Sequence, residues 1–281
     1  MTLLPNPVVH HPFAYSFGAV GITGFGLAVL MAFLVGQVVM QRLLTLRGHD
    51  AEPVNDMVFA AVVGGLLGAK LYYVVVLGHW DAIFSRGGFV YWGGLFGGML
   101  AVMAVVVKKR AGLMRMFDVA GPSLMAAYAV GRTGCWAVGD DYGRPWNGFL
   151  ATVFPEGAPP STAGIMAQEF GVMPPLGASP NALIAVYPTQ LYETALAFVM
   201  FLVLWRLRNH KHAEGWLFGV YCVFAGAERF VIEFFRAKDD VLPIGITYAQ
   251  SIALAFIAVG LVWMTVRARV GPGKAGIHAV A

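Results

Sequence analysis

The sequence predicts an all-α membrane protein, a bundle of seven transmembrane helices with the N-terminus outside and the C-terminus inside. Three observations carry this expectation. The 281 residues are 58% hydrophobic and only 12% charged, a balance that one soluble core of this size cannot hide. Apolar runs recur at 17–40, 54–78, 89–107, 116–138, 188–206, 215–236 and 243–266. Each is long enough to cross about 30 Å of hydrocarbon at about 1.5 Å per helical residue. The basic residues, finally, sort onto one side of these runs.

Taken in order, the first run leads into the connection 41–53, which carries Arg42 and Arg47. The second run holds Lys70 and turns at a short connection containing Arg86. The third opens with YWGG and closes on Lys108, Lys109, Arg110 and Arg115. The fourth contains Arg132 and feeds the long segment 139–187, where Arg144 lies. The fifth begins with Gln190 and Glu193 and ends on Arg206, Arg208 and Lys211. The sixth carries Arg229, Glu233 and Arg236, with Lys238 just beyond. The seventh precedes a tail with Arg267, Arg269 and Lys274. Twelve basic residues thus fall on one side and four on the other. Short loops rich in Lys and Arg stay in the cytoplasm, which fixes the predicted orientation.

The segment 139–187 is rich in Pro and Gly (FPEGAPPSTAG, MPPLGASP) and too long for a plain connection. It is expected to form an outer-face cap within a single transmembrane domain spanning 1–281. The net charge of +4 is explained by the inner loops and gives no reason to expect nucleic acid. Cys135 and Cys222 are the two cysteines. Both sit in apolar stretches, so neither a disulfide framework nor a metal-spaced set is expected. The opening MTLLPNPVVHHPF lacks a basic leader and a small-residue cleavage site, so no removable signal peptide is expected.

Three basic residues remain inside the spans: Lys70, Arg132 and Arg229. Ionisable groups at such depth are costly and normally face a cavity or a partner. Each lies six to nine residues from the outer end of its run. Tyr91, Trp92, Gln190 and Glu193 open their own runs near the same end, and Glu233 and Arg236 share a helix face with Arg229. Polar groups from five helices are therefore expected to meet at one depth, about 10 Å below the outer surface. A transporter would instead spread such groups through the full thickness. Structural explanations exist for each member. Arg229 and Glu233 can neutralise each other, Lys70 can snorkel outward, and Arg132 can pair with Glu193 or Asp140 merely to hold the bundle. The small-residue spacing of Gly64, Gly65 and Gly68, and of Gly93, Gly94, Gly97 and Gly98, serves either close helix packing or room for a headgroup.

The ordered segments YWGGLFGG, FDVAGP, GRTGCWAVGDDYGRP, YPTQLYE and ERFVIEFFR resemble the prolipoprotein diacylglyceryl transferase family of bacterial cytoplasmic membranes. The resemblance implies transfer of a diacylglyceryl group from phosphatidylglycerol to the lipobox cysteine thiol of a prolipoprotein. A thioether forms and glycerol phosphate leaves, at the outer leaflet of the bilayer, with no metal or organic cofactor. It makes Arg132 and Arg229 the essential pair on the phospholipid phosphate and gives Asp140 an acidic position, while Asp118, Gln190 and Glu233 match motif residues. The expected catalytic set is Arg132, Arg229, Asp140 and Glu233. The expected substrate contacts are the same two arginines with Lys70, Tyr91, Gly93, Gly94, Gln190 and Arg236. Departures accompany the match. Trp92 and Tyr187 stand where histidines are usual, Phe25 where tyrosine is usual, Cys135 where asparagine is common, and Lys70 where arginine is common. All seven histidines lie outside the predicted spans. That leaves Asp140, Glu233 or Tyr91 as the base. The same departures fit a non-catalytic or altered-specificity relative that binds phospholipid or lipoprotein.

Overall fold

Thr23 starts the first helix: its hydroxyl accepts from the Gly26 N–H at 3.1 Å, a capping bond that satisfies one unpaired helix-end donor. The computed structural model describes residues 7–17, 20–85, 88–173, 176–238 and 241–269. Arg86 and Lys274, which entered the charge count, lie outside the described residues. Helix α1 runs Gly24–Leu46, so residues 17 and 20–23 of the first predicted run are not helical. They belong instead to the paired antiparallel strands β2 (Ala14–Phe17) and β3 (Val20–Thr23), with Ala14 opposite Thr23. Gly21 and the β-branched residues at 20, 22 and 23 disfavour helix there. Strand β1 (Val8–Val9) pairs in parallel with β4 (Thr152–Val153).

Proline at the first position opens α2 (Pro53–Leu77), and Gly78 closes it in the left-handed region at φ 71°. Then follow α3 (Tyr91–Lys108), α4 (Leu113–Val138), the short α5 (Ala163–Phe170) and α6 (Thr189–Arg206). Last come α7 (Trp216–Ile232) and α8 (Tyr248–Arg269). Five of these are long and apolar enough to cross a membrane: α1, α2, α3, α6 with its continuation to Asn209, and α8. Helices α4 and α7 are not in that set. They carry Arg115, Asp118, Arg132, Glu228 and Arg229, and α7 is only about 25 Å long by helical rise. They are also the most enclosed helices: α4 packs on α1, α6 and α7, while α7 packs on α8 as well. Polar residues are affordable where neighbouring helices, not lipid, surround them.

Helices α2 and α3 pack chiefly on each other along a glycine seam. A Cβ on Gly68 would meet the Gly93 carbonyl and sit 2.8 Å from Gly97 Cα, and one on Gly64 would meet Ala101 and the Gly97 carbonyl. The pair joins α1 and α4 through an apolar cluster that includes Leu43, Val54, Val106 and Val119. This is the end where basic residues collect. Lys109 meets Asp56 at 2.7 Å, Arg115 meets Glu214 at 2.9 Å, and Arg267 donates to the Glu214 carbonyl. Asp118, 1% exposed, is the hub there. It pairs with Arg47 at 2.7 Å and His210 at 2.8 Å, and accepts from the Gly215 and Leu217 N–H groups at the start of α7.

At the opposite end, 139–187 builds its own apolar cluster around Tyr142, Phe154, Met166, Ile184 and Val186. Its two legs are bonded together: Gly143 N–H to the Tyr187 carbonyl, Tyr187 N–H to the Arg144 carbonyl, Trp146 N–H to the Ala185 carbonyl. Arg144 N–H reaches the Phe235 carbonyl just past α7. The hairpin is tied in as well, since Phe13 N–H donates to the Ala137 carbonyl at the end of α4.

Candidate functional site

Arg132 lies two turns before the end of α4 and is 8% exposed. Its Nε pairs with Glu193 Oε2 of α6; its Nη1 meets Asp141 Oδ2 at 3.0 Å and Cys135 Sγ at 3.1 Å. Glu193 is fully buried, accepts from the Tyr128 hydroxyl at 3.1 Å and receives Arg236 Nη1 at 3.4 Å. Arg236 also holds Asp141 Oδ1 at 2.6 Å and approaches Glu233 at 3.9 Å. Glu233 in turn pairs with Arg229 Nη2 at 2.7 Å and accepts from Thr247 Oγ1 at 3.3 Å. A chain of alternating charge therefore links Arg132 to Arg229 through Glu193, Asp141, Arg236 and Glu233. Buried charges are stable only when paired in this way.

The acids at 140 and 141 are aimed by local backbone chemistry. Gly139 ends α4 in the left-handed region at φ 72°, and Asp141 itself stands at φ 55°. The N-terminal turn of α6 grips this bend: Thr189 Oγ1 donates to the Asp141 carbonyl at 2.7 Å, and Gln190 Nε2 donates to the Asp140 carbonyl. The two consecutive acids then take different partners. Asp141 spans the two arginines, while Asp140 approaches the Cys135 thiol and leaves Oδ1 buried without a hydrogen-bond partner among the described residues. Burial and the neighbouring Asp141 raise the Asp140 pKa above the usual carboxylate range. Burial also pushes Asp141 up, but Arg236 and Arg132 outweigh it and hold that group at about 2. Asp141 thus keeps its pairing energy above the ordinary carboxylate range and loses it only as pH falls through about 2. Oxygen and sulfur atoms of Cys135, Asp140 and Asp141 lie within 4.8 Å of one another. Guanidinium groups already claim two of the three, which makes this a poor place for a cation.

Of the residues singled out from sequence, Arg132, Arg229, Asp140, Glu233, Gln190 and Arg236 come together here. They come from α4, α6 and α7 and the turns beyond them. Lys70, Tyr91, Gly93 and Gly94, on α2 and α3, do not join the network. Lys70 donates to the Ser85 carbonyl at 2.7 Å and hydroxyl at 2.8 Å and lies over the Tyr73 and Phe89 rings. Gly93 packs against Gly68 and Tyr72, and Gly94 against Gly65 and Ala69. That contact is close helix packing. Tyr91 is exposed with its ring 5.5 Å from that of Trp92. Tyr187 stacks on Trp146 at 4.5 Å, joining the two legs of 139–187. Two acids of the network, Asp141 and Glu228, were not singled out from the sequence. Asp141 was hidden by the adjacent Asp140, and only the left-handed turn reveals which of the doublet faces the arginines. Glu228, 4% exposed, lies near Glu193, Arg229, Arg132 and Tyr128, with no hydrogen-bond partner for Oε1 among the described residues. An acid beside Arg229 in the middle of an apolar run was its signal.

The family model described as prolipoprotein diacylglyceryl transferase matches residues 12–266. The chain belongs to the prolipoprotein diacylglyceryl transferase family. It is 31% identical to a phosphatidylglycerol–prolipoprotein diacylglyceryl transferase of Paraburkholderia xenovorans, over 98% of this chain and 99% of that one. A protein of the same name from Xanthomonas euvesicatoria pv. vesicatoria is 30% identical over 95% and 97% of the two chains. One from Clostridium tetani is 26% identical over 89% and 95%. This prolipoprotein diacylglyceryl transferase family member gathers three guanidinium groups, two of them buried, and a guanidinium fork is planar, stays charged and can engage phosphate oxygens bidentately. Carboxylates within the same network supply proton acceptors. The site therefore has the parts for displacing a phosphate-bearing leaving group.

Proposed function

We propose that this chain transfers a diacylglyceryl group from phosphatidylglycerol to the lipobox cysteine thiol of a prolipoprotein. The thiol sulfur attacks the glyceryl carbon bearing the phosphodiester, and the carbon–oxygen bond breaks with its electron pair on the phosphate oxygen. Glycerol phosphate leaves and a thioether remains. Arg132 and Arg229, with Arg236 between them in the relay, hold the phosphate and stabilise the charge that grows on it, a form of stabilisation worth several kcal/mol, on the order of that from oxyanion donors. Asp140 takes the thiol proton, since its raised pKa and its position beside Cys135 suit a base better than Glu233, which is committed to Arg229.

The reading includes a topology. Helices α1, α2, α3, α4, α6, α7 and α8 cross the bacterial cytoplasmic membrane, N-out and C-in, as one domain. The cluster of basic residues around Asp118 faces the cytoplasm, and 139–187 caps the outer side, where the acceptor peptide arrives. The site faces the outer leaflet. Support comes from the collection of Arg, Lys and their acidic partners at one end of the bundle and of the arginine network at the other.

The carrying observation is the buried relay from Arg132 to Arg229. Purified protein given phosphatidylglycerol and a synthetic lipobox peptide should raise the peptide mass by one diacylglyceryl group. A peptide left unmodified, with a working relative run in parallel, would eliminate the transferase reading.

A further inference from the structure

Asp141 differs from the other acids of the network in one respect. Its side chain is 41% exposed, against 0% for Glu193 and 1% for Glu233. Yet each of its oxygens rests on a different buried arginine, Oδ2 on Arg132 and Oδ1 on Arg236. Two acceptor atoms shared between two guanidinium forks is the arrangement that two non-bridging phosphate oxygens would adopt. Arg132 Nη2, meanwhile, is buried with no hydrogen-bond partner among the described residues. A carboxylate with two oxygens leaves that donor unused, and a phosphate, richer in acceptors, can satisfy it.

The charge count sharpens the point. Asp140, Asp141, Glu193, Glu228 and Glu233 outnumber Arg132, Arg229 and Arg236. An anionic headgroup therefore does not fall into an open positive pocket; it must exchange with an acid already seated there. Glu193 cannot leave without stranding itself and the Tyr128 hydroxyl in the interior, and Glu233 is tied to Thr247 and Arg229. Of the three acids paired with these arginines, Asp141 is the one with a route to solvent.

We infer that Asp141 is a displaceable internal anion that occupies the phosphate seat between Arg132 and Arg236 and sets the affinity of the site for the lipid headgroup. It rests on the proposed function and names a specificity-determining residue within it. Arriving phosphate takes the two guanidinium forks, and the Asp141 carboxylate turns outward into water. Because the paired group is held at about 2, acidification within the working range does not vacate the seat; substitution does.

The test uses the full chain in lipid nanodiscs, with short-chain phosphatidylglycerol titrated calorimetrically. Asp141→Asn and Asp141→Gly both tolerate the left-handed backbone at this position, so at least one folded variant is secured. Each should bind the lipid roughly three- to tenfold more tightly than the natural chain, the scale set by losing one partly exposed charge-assisted pair. Glycerol phosphate should compete more strongly by a similar factor, whereas Asp141→Glu, which keeps the anion, should not gain. Unchanged or weakened binding in the folded variants overturns the inference. So does a pure fall in turnover with binding constant unchanged, which would make Asp141 a proton acceptor. A natural chain that binds phosphatidylglycerol but makes no thioether would refute the proposed reaction and leave the binding comparison intact.

Discussion

Arg132→Ala is expected to lower turnover by a factor on the order of 10²–10³, the range seen when one donor is removed from a site that stabilises developing negative charge. The protein should remain folded. Arg236 still reaches Glu193 at 3.4 Å and Asp141 at 2.6 Å, so neither acid is left wholly without a cation. Arg132→Lys should be nearly as poor, because one ammonium cannot reach Glu193, Asp141 and an incoming phosphate together as the fork does. Product formation followed by peptide mass, on protein eluting as a single species, measures both. Arg229→Ala should move in the same direction, and normal turnover in either arginine variant would break the clamp assignment.

The largest expected effect on stability lies at the other end of the bundle. Asp118 is buried, carries two basic partners, and accepts the N–H groups of Gly215 and Leu217 that α7 cannot satisfy within itself. Replacing it with alanine removes the carboxylate partner of Arg47, whose side chain is 9% exposed and keeps only the Arg208 carbonyl, and strands those two donors. Losing one partner of such a pair costs about 3–5 kcal/mol. Asp118→Ala should therefore unfold well below the natural chain in thermal melts, while the fraction that folds keeps its catalytic rate. Asp118→Asn, which keeps one acceptor oxygen, should fall between them. A midpoint equal to that of the natural chain would remove Asp118 as the anchor of α7.

How much of this was legible in the sequence follows from which coordinate each signal reports. Position along a helix axis is readable by counting residues, so the depth of Arg132, Arg229, Gln190, Glu193 and Arg236 could be ranked before any fold was known. Rotation about the axis, and which helices stand side by side, cannot be counted in that way. Lys70 and Tyr91 share the predicted depth but sit on the α2–α3 pair, which turns its glycines inward on itself. The residues 20–23 misled because their apolar side chains satisfy a hydropathy count equally well in a strand. The choice between Asp140 and Asp141 depended on a left-handed turn after α4, and a glycine at 139 hints at the turn without giving its direction. The family resemblance located the motif and still could not say which of two neighbouring acids touches the arginines.

The paired legs of 139–187 have a consequence for how the chain could be built. The excursion they enclose has its apex near Leu176 and Gly177, where the leucine projects fully into open space and nothing crowds the glycine. The bonds among Gly143, Arg144, Trp146, Ala185, Tyr187 and Phe235 fasten both legs together away from Gly177. Two separately translated pieces, 1–177 and 178–281, are therefore expected to reassemble through α4, α6 and α7; co-purification of the two from one membrane extract would measure it, and recovery of only one piece would show that the chain must be continuous at Gly177.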